Sequence, residues 1–393
     1  MAKTLWLSCH VDYACRHSGA CCRAGWPLPV ETRVVAAIDA AVTSGRVSTV
    51  DGSVVWLRES AEAPEGMAGT FCLADGACVF HVARESTGHG TAAARHCAVH
   101  ATLGHEALPS SCQHFPRVCL ADARGVRVAL SHVCPTAAAM LVDATRPVTI
   151  VRGPEAVPGG GVPEGLDARD VLPPSLSDRV LMDLDALSAW EAHIVNALAG
   201  PSAWPGALED VLSRLAAQAE DLARWTPGGA SLAETIRAFA PAPDDAADRT
   251  RSHDTSAADT FAPWTPEAAW ALGREACRAP WTWPDLPANL AALDARWVAP
   301  AWPYVAPVVR RYLAGKAFGA WVTYQADATR ALTAWLALAL AVLRVECARA
   351  CAEGPRPLDR ERLVTAVRQA DLLLMHYADS ATLVGGLLTR GRV

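Results

Sequence analysis

The chain has 393 residues, of which 51% are hydrophobic and 19% charged, and its net charge is −6 at pH 7. Such a chain can bury a large core, is not disordered overall, and is long enough for two or three domains. The acidic balance, without any stripe of lysine and arginine, excludes a nucleic-acid binder that works by neutralising phosphates.

The first 150 residues are predicted to form a small, cysteine-rich α+β domain. Regular spacing of apolar residues over Val30–Val42 indicates a helix. Runs of β-branched residues on either side of an Asp-Gly pair predict a hairpin over Arg46–Arg58, and a second hairpin is predicted over Val118–Val133. A helix is expected to begin at Pro135, because proline suits the first turn of a helix.

A Pro/Gly-rich stretch, residues 151–174, is predicted to connect this domain to a mainly α-helical domain over residues 175–393. The first helix of the second domain is expected to begin at a cap on Ser175 or Ser177 and to end at Gly200. No alternating pattern of strands and helices is present, so a Rossmann-type methyltransferase fold is not expected.

Three long helices are predicted towards the end of the chain, at about Val305–Lys316, Trp321–Cys351 and Asp359–Tyr377. The most apolar run, Ala331–Leu343, has thirteen residues between two arginines, which is too short to span a bilayer as a helix. It is therefore predicted to be a buried core helix. The N-terminal residues contain no apolar signal segment, so we expect a cytoplasmic protein.

Cysteine is the informative residue type. Thirteen cysteines are present, and ten of them lie within the first 134 residues. Such clustering in a cytosolic protein indicates metal binding more often than disulfides. Cys21 and Cys22 are adjacent and cannot easily pair with each other. Thiolates suit zinc and iron–sulfur clusters, and so many thiols exceed the needs of one zinc. Either two metals bind, or one binds and several cysteines only pack.

Four elements of the sequence follow one another in a familiar order. The stretch CRHSGACCR begins at Cys15, CVF begins at Cys78, CAVHATLGHEALPSSCQHFPR begins at Cys97, and LSHVCPTAAAML contains Cys134. In their order and residue pattern, these elements resemble the motifs of the YkgJ-like zinc- or iron-chelating cysteine-cluster family, which includes the flagellin lysine-N-methylase group. The resemblance covers about residues 9–145.

The resemblance implies a metal site that holds zinc or an iron–sulfur cluster. Its expected ligands are Cys15, Cys21, Cys22, Cys78, Cys97, Cys112 and Cys134. The chain departs from the family signature at Ser18, where the signature has its second cysteine. Either Cys9 compensates, or the site takes a thiol from the later elements. Cys134 stands at a predicted helix start, which would favour its thiolate.

The histidines near the cysteines, a glycine run and the late cysteines have more ordinary interpretations. The histidines among the cysteines are individually typical of surface residues, but as a group they could complete a Cys/His zinc site; they are His81, His96, His100, His105 and His114. The glycine run Val157–Gly165 indicates a linker. The three late cysteines, Cys277, Cys347 and Cys351, are predicted to be buried small hydrophobic residues.

The resemblance to the flagellin lysine-N-methylase group implies S-adenosylmethionine as methyl donor and a protein lysine as substrate. The residues themselves identify no catalytic group, so a non-catalytic metal-binding module and a structural zinc in an interaction domain remain as alternatives. A protein substrate or partner is expected, and a nucleic-acid or membrane partner is not.

The adjacent cysteines also carry a prediction about the fold. Neighbouring side chains diverge unless the backbone turns sharply, and Gly19 and Gly25 on either side permit such turns. We therefore expect the early cysteines to converge in space with the later ones, that is, Cys15, Cys21 and Cys22 with Cys78, Cys97 and Cys112.

Overall fold

The structure is a computed structural model that describes residues 3–26, 28–59, 65–83, 95–156, 164–239, 264–279, 281–354 and 356–390. The strands are, in chain order, β1 (Thr4–Leu7), β2 (Pro29–Glu31), β3 (Leu57–Glu59), β4 (Met67–Phe71), β5 (Leu73–Ala74), β6 (Ala77–Cys78), β7 (His81–Ala83), β8 (Arg95–Cys97), β9 (Arg117–Asp122), β10 (Gly125–Leu130), β11 (Ile150–Arg152), β12 (Gly165–Asp167), β13 (Ser175–Ser177) and β14 (Val180–Leu181).

The α-helices are α1 (Thr32–Thr43), α2 (Ala98–Leu103), α3 (Ser110–His114), α4 (Pro135–Asp143), α5 (Leu184–Ala199), α6 (Leu208–Ala223), α7 (Leu232–Arg237), α8 (Pro266–Ala276), α9 (Leu290–Leu293), α10 (Trp302–Ala317), α11 (Ala328–Ala352), α12 (Arg360–Asp371) and α13 (Ser380–Arg390). About 50% of the chain is helical and 15% is strand, and the C-terminal part is mostly helical. The predicted α+β class with a helical second part is confirmed at this level.

A mixed five-stranded sheet of order β11-β1-β10-β9-β12 lies in the N-terminal part. Its central hairpin, β9 with β10, is the one predicted over Val118–Val133, and it turns after Asp122. The Asp122 side chain accepts a hydrogen bond from the backbone N–H of Arg124 at 2.8 Å, and this local hydrogen bond favours the turn. Strand β12 falls inside the predicted connector and pairs with β9, so this part of the connector belongs to the sheet.

The hairpin predicted over Arg46–Arg58 is wrong. The Asp-Gly turn does form, and the N–H of Gly52 donates to the carbonyl of Thr49 at 3.3 Å. The chain after the turn stays in solvent, however, and Val54 is 67% exposed. Strand β3 pairs with β4 instead, within a sheet of order β2-β4-β3. Pairing with a strand that already has a buried face is more favourable than pairing two exposed runs.

The start predicted for the first C-terminal helix is also wrong. Ser175 and Ser177 lie in the β13–β14 hairpin, where Leu176 is completely buried. Helix α5 begins later, at Leu184, because the Asp183 side chain caps it by accepting the N–H of Ala186 at 2.8 Å. The helix ends before Gly200, as predicted.

The three long C-terminal helices are present as α10, α11 and α12, the last continuing through a wider turn over Leu372–Tyr377. The start predicted for the second of them at Trp321 is wrong, because Trp321–Tyr324 is a separate 3₁₀ helix and α11 begins at Ala328. Helix α11 has 25 residues, and by length and composition alone it could cross a membrane. Within the fold, 89% of its most apolar window is buried. This burial is typical of a core helix, which is what the sequence predicted.

The main apolar core joins the helices to the N-terminal part. It contains Trp190 of α5, Tyr312 of α10 and Trp335 of α11, and also Leu7 of β1 and Leu141 of α4. A buried ion pair adds to this contact, since Nε of Arg127 in β10 donates to Glu191 of α5 at 2.7 Å. The five-stranded sheet and α4 therefore pack on the helices.

Candidate metal centre

Five of the seven predicted ligands lie together, and we call them the five-thiol group: Cys21, Cys22, Cys78, Cys97 and Cys112. Cys21 and Cys22 open a short 3₁₀ helix, Cys78 ends β6, Cys97 ends β8, and Cys112 lies in α3. All five belong to or pack against a second apolar cluster, separate from the main core. The fold thus brings together thiols from four separate segments.

Aromatic side chains form the base of this second cluster. Trp56, Phe71 and Phe80 are each at most 4% exposed, and the Phe71 and Phe80 rings meet edge to face with centroids 5.3 Å apart. Trp56 packs on both rings. Tightly packed aromatic rings leave little freedom to the strands that they join. Rigid packing therefore holds the β-segment that carries Cys78.

The adjacent pair has a spacing that suits one metal ion. The sulfurs of Cys21 and Cys22 lie 3.9 Å apart. Tetrahedral zinc with Zn–S bonds of about 2.3 Å holds its ligand sulfurs roughly 3.8 Å from one another. The backbone reaches this arrangement between Gly19 and Gly25, which have φ angles of +67° and +76°. These are left-handed conformations that glycine adopts readily.

The thiols of the group are costly to ionise without a nearby cation. Burial raises the pKa of Cys78 to about 12 and also raises the pKa of Cys97. Burial, and then the charges of neighbouring thiolates, raise the pKa of Cys112 well above its usual value. Cys21 is the exception, because its hydrogen bond with Cys22 lowers the pKa of Cys21 to about 7 and raises that of Cys22. A bound metal cation would reverse this balance by stabilising the thiolates.

The two remaining predicted ligands meet at Tyr13. The Tyr13 hydroxyl and the Cys134 sulfur are 3.5 Å apart, and Cys15 lies close enough to interact with the same hydroxyl. Burial, then the neighbouring Cys134 and Cys15, raise the pKa of Tyr13. Cys134 is buried in a third small apolar cluster, together with Trp6. The structure therefore groups Cys15 with Cys134 and places both beside a tyrosine.

The segment of Cys15 nevertheless reaches the five-thiol group. The N–H of His17 donates to the Cys15 sulfur at 3.3 Å, and the His17 ring lies 5.2 Å from the ring of His100. The N–H of His100 in turn donates to the sulfur of Cys97 at 3.5 Å. A chain of contacts thus joins Cys15 to one member of the group.

The donor atoms are of the type that soft metals prefer, but their positions do not form a complete metal site. All thirteen cysteines are free thiols. Within the described ranges, however, no three His, Cys, Asp or Glu side chains have donor atoms arranged as a metal site. Cys21 and Cys22 have the required spacing, and Cys78, Cys97 and Cys112 lie on the same apolar cluster as further thiol donors. These five residues could hold zinc or an iron–sulfur cluster.

The histidines lie around the group in different environments. His81 is buried and packs directly against Gly19, just before the adjacent cysteines. Burial, followed by the charges of His17 and His105, lowers the pKa of His100. Burial also lowers the pKa of His114. A lowered pKa keeps an imidazole neutral, which is the form that binds metals.

Sequence reasoning missed a buried charged network between the N-terminal turns and the helices. The Asp371 carboxylate accepts hydrogen bonds from Nζ of Lys316 at 2.5 Å and from the Tyr312 hydroxyl at 3.0 Å. His132 contacts Asp371 on one side, and on the other its Nε2 lies 3.4 Å from Nε2 of His10. One signal was present, because Lys316 is one of only two lysines in the chain and lies in an apolar helix. Its partners are too distant in sequence to be recognised.

Comparison with models of known protein families, with curated proteins and with solved structures found no match. The function must therefore be argued from the chain's own residues. The strongest argument comes from the five-thiol group, whose members share burial, chemistry and location.

Proposed function

We propose that this protein binds a metal centre, either zinc or an iron–sulfur cluster, through the five-thiol group. One observation carries the proposal: the five-thiol group brings free thiols from four separate chain segments onto one apolar cluster, which Cys72 also contacts. Simple packing does not need sulfur at five neighbouring positions. Thiolate-rich sets of this kind are the usual ligands of zinc and of iron–sulfur clusters.

The charge balance supports a cation at this position. Burial makes the thiolates of Cys78, Cys97 and Cys112 unfavourable on their own. Metal binding supplies the missing positive charge, and its free energy is then available to stabilise the fold. Thirteen free thiols also agree with a reducing compartment, so we propose a cytoplasmic location.

The test is metal analysis of protein purified without oxygen. We expect a brown protein with iron and acid-labile sulfide if a cluster is bound, and a colourless protein with stoichiometric zinc if zinc is bound. Cys112→Ser should lower the metal content strongly. Cys277→Ser, in the helical part, should leave the content unchanged and serves as the matched control. Metal-free wild-type protein, purified from cells supplied with both metals, would contradict the proposal.

The sequence resemblance to the flagellin lysine-N-methylase group supports a second candidate function, the methylation of a protein lysine with S-adenosylmethionine. The resemblance covers only the cysteine-containing part of the chain. Incubating the holoprotein with a labelled methyl donor and cell extract tests this candidate. Transfer of label to a protein supports an enzyme, whereas stoichiometric zinc without transfer supports a structural zinc in an interaction module.

A further inference from the structure

A cavity of about 490 Å³ lies between the cysteine-containing segments and α12. Arg23, which directly follows Cys22, lines one side, and Arg368 of α12 lines another. Val133, which directly precedes Cys134, also lines it. Two lining residues are thus sequence neighbours of Cys22 and Cys134, and the size of the cavity is that of a small-molecule site.

The two arginines face this space without acidic partners. Nε of Arg368 donates to the carbonyl of Val133 at 3.0 Å, which fixes the side chain and leaves its terminal nitrogens for another acceptor. In the part of the chain that the structure describes, no carboxylate forms an ion pair with Arg23 or with Arg368. The two guanidinium groups are close enough to repel each other, and burial together with the charge of Arg23 lowers the pKa of Arg368.

Most of the other arginines near the helices have acceptors of their own. Arg344 makes a two-pronged ion pair with Asp294 at 2.8 and 2.9 Å, and Arg330 pairs with Glu220. Two like charges at one cavity, with no such acceptor, leave hydrogen-bonding capacity that an anion would satisfy. Guanidinium groups bind carboxylate and phosphate oxygens in two-pronged fashion, with geometry that suits both.

The turn between β5 and β6 adds a carboxylate to the lining, which limits the charge of the anion. Asp75 and Gly76, in the tight turn between β5 and β6, also line the cavity. The Asp75 carboxylate would repel a second negative group near that turn. The remaining polar lining comes from Gln369 and Tyr377, and Tyr377 is held by stacking on Trp281 with ring centroids 5.2 Å apart. Such an arrangement favours a compact ligand at the arginine side.

We propose that this cavity binds a small oxyanion, a phosphate or a short dicarboxylate, between Arg23 and Arg368. The site does not require the metal, although it borders the segment that carries Cys21 and Cys22. A ligand bound at Arg23 would contact the residue that directly follows Cys22 in the chain.

Isothermal titration of the purified protein with inorganic phosphate, and separately with malonate, tests the proposal. Both titrations use the same ionic strength, set with chloride. We expect saturable binding of at least one probe, and the comparison decides between phosphate and dicarboxylate. Arg23→Gln and Arg368→Gln should each weaken binding by about tenfold or more, because each removes charge-assisted hydrogen bonds. Asp75→Asn should tighten it.

Arg46→Gln is the matched control, because Arg46 is an exposed arginine of the N-terminal part that does not line the cavity. It should leave the affinity unchanged. Metal content is measured for every sample, so that loss of the metal and loss of the anion are distinguished. If Arg368→Gln does not fold, the Arg23→Gln variant tests the proposal, because Arg23 is exposed and its substitution should leave the fold intact. No binding of either probe to wild-type protein, or equal weakening by Arg46→Gln, would overturn the proposal.

Discussion

Asp371, the last residue of α12, accepts two hydrogen bonds from His132, which lies 239 residues earlier in the chain. The backbone N–H of His132 donates at 2.6 Å and its Nδ1 at 3.0 Å. Lys316 and Tyr312 bind the other carboxylate oxygen. Burial would raise the pKa of the Asp371 carboxyl, but the charges of Lys316 and His132 hold it well below its usual range. This contact joins the turn before Cys134 to the helical core.

Asp371→Asn should destabilise the protein by about 3–5 kcal/mol, because it leaves the Lys316 ammonium buried without a counter-charge. Chemical denaturation with urea measures the loss. Asp143→Asn is the control, since Asp143 and its partner Arg360 are both more than half exposed. Its effect should stay within about 1 kcal/mol. Equal effects of the two substitutions would show that the buried network contributes no more than a surface pair.

Gly19→Ala should disturb the five-thiol group directly. Gly19 has a φ angle of +67°, and an added Cβ would overlap the imidazole of His81. Gly45 has a similar φ of +71°, but no atom lies within 4 Å of the added Cβ. Gly45→Ala should therefore show the backbone penalty alone, about 1–2 kcal/mol.

The comparison of the two alanine variants isolates the contact with His81. Gly19→Ala should cost more stability than Gly45→Ala, and it should also reduce the metal content, which Gly45→Ala should not. Urea denaturation and metal analysis of both variants give the answer. The same metal content in both variants would mean that the backbone at Gly19 can move without disturbing Cys21 and Cys22.

Removing the metal ligands should loosen only part of the chain. The double variant Cys21→Ser, Cys22→Ser should lose metal and become more sensitive to protease around the second apolar cluster, because binding free energy at such a site is folding free energy. Strand β1 and helix α4 should stay protected, since Leu7 and Leu141 are buried in the main core. Timed proteolysis with mass spectrometry of the fragments measures both.

A control for this experiment comes from the helical core. The double variant Cys347→Ser, Cys351→Ser changes two buried cysteines of α11. It should lower global stability and keep the metal. Full metal occupancy and unchanged protease resistance in the Cys21→Ser, Cys22→Ser protein would show that these two cysteines are not ligands.

Glu164 should make stability depend on pH. Burial, and then the charge of Glu31, raise the pKa of Glu164 from 4.5 to about 7. The folded protein therefore keeps a proton that the unfolded chain releases between these values, so stability falls as the pH rises from about 4.5 to about 7. The slope from one such group is at most about 1.4 kcal/mol per pH unit.

Glu164→Gln should remove this contribution. The difference in unfolding free energy between the variant and wild type is measured in urea from pH 5 to pH 8, and it should change in favour of the variant as the pH rises. Glu155→Gln, at an exposed position in the same region of the chain, is the control for removing one surface carboxylate. A flat difference for Glu164→Gln would mean that its carboxyl is solvated in the folded protein.

The sequence by itself determined the elements whose causes are local. Helices α10, α11 and α12 follow from regular apolar spacing, the β9–β10 hairpin from turn residues next to its strands, and the start of α4 from Pro135. The adjacent cysteines and their flanking glycines are visible in one short stretch, and the left-handed turns predicted at Gly19 and Gly25 are present.

Only the tertiary structure decided which segments meet. Strand β3 pairs with β4 and not across the Asp-Gly turn, and Ser175 belongs to a hairpin and not to a helix cap. Cys15 and Cys134 share Tyr13, and Asp371 reaches His132 across most of the chain. Propensity and spacing describe each segment alone, whereas partner choice depends on which apolar faces can be buried together. That free energy exists only when distant segments are in contact.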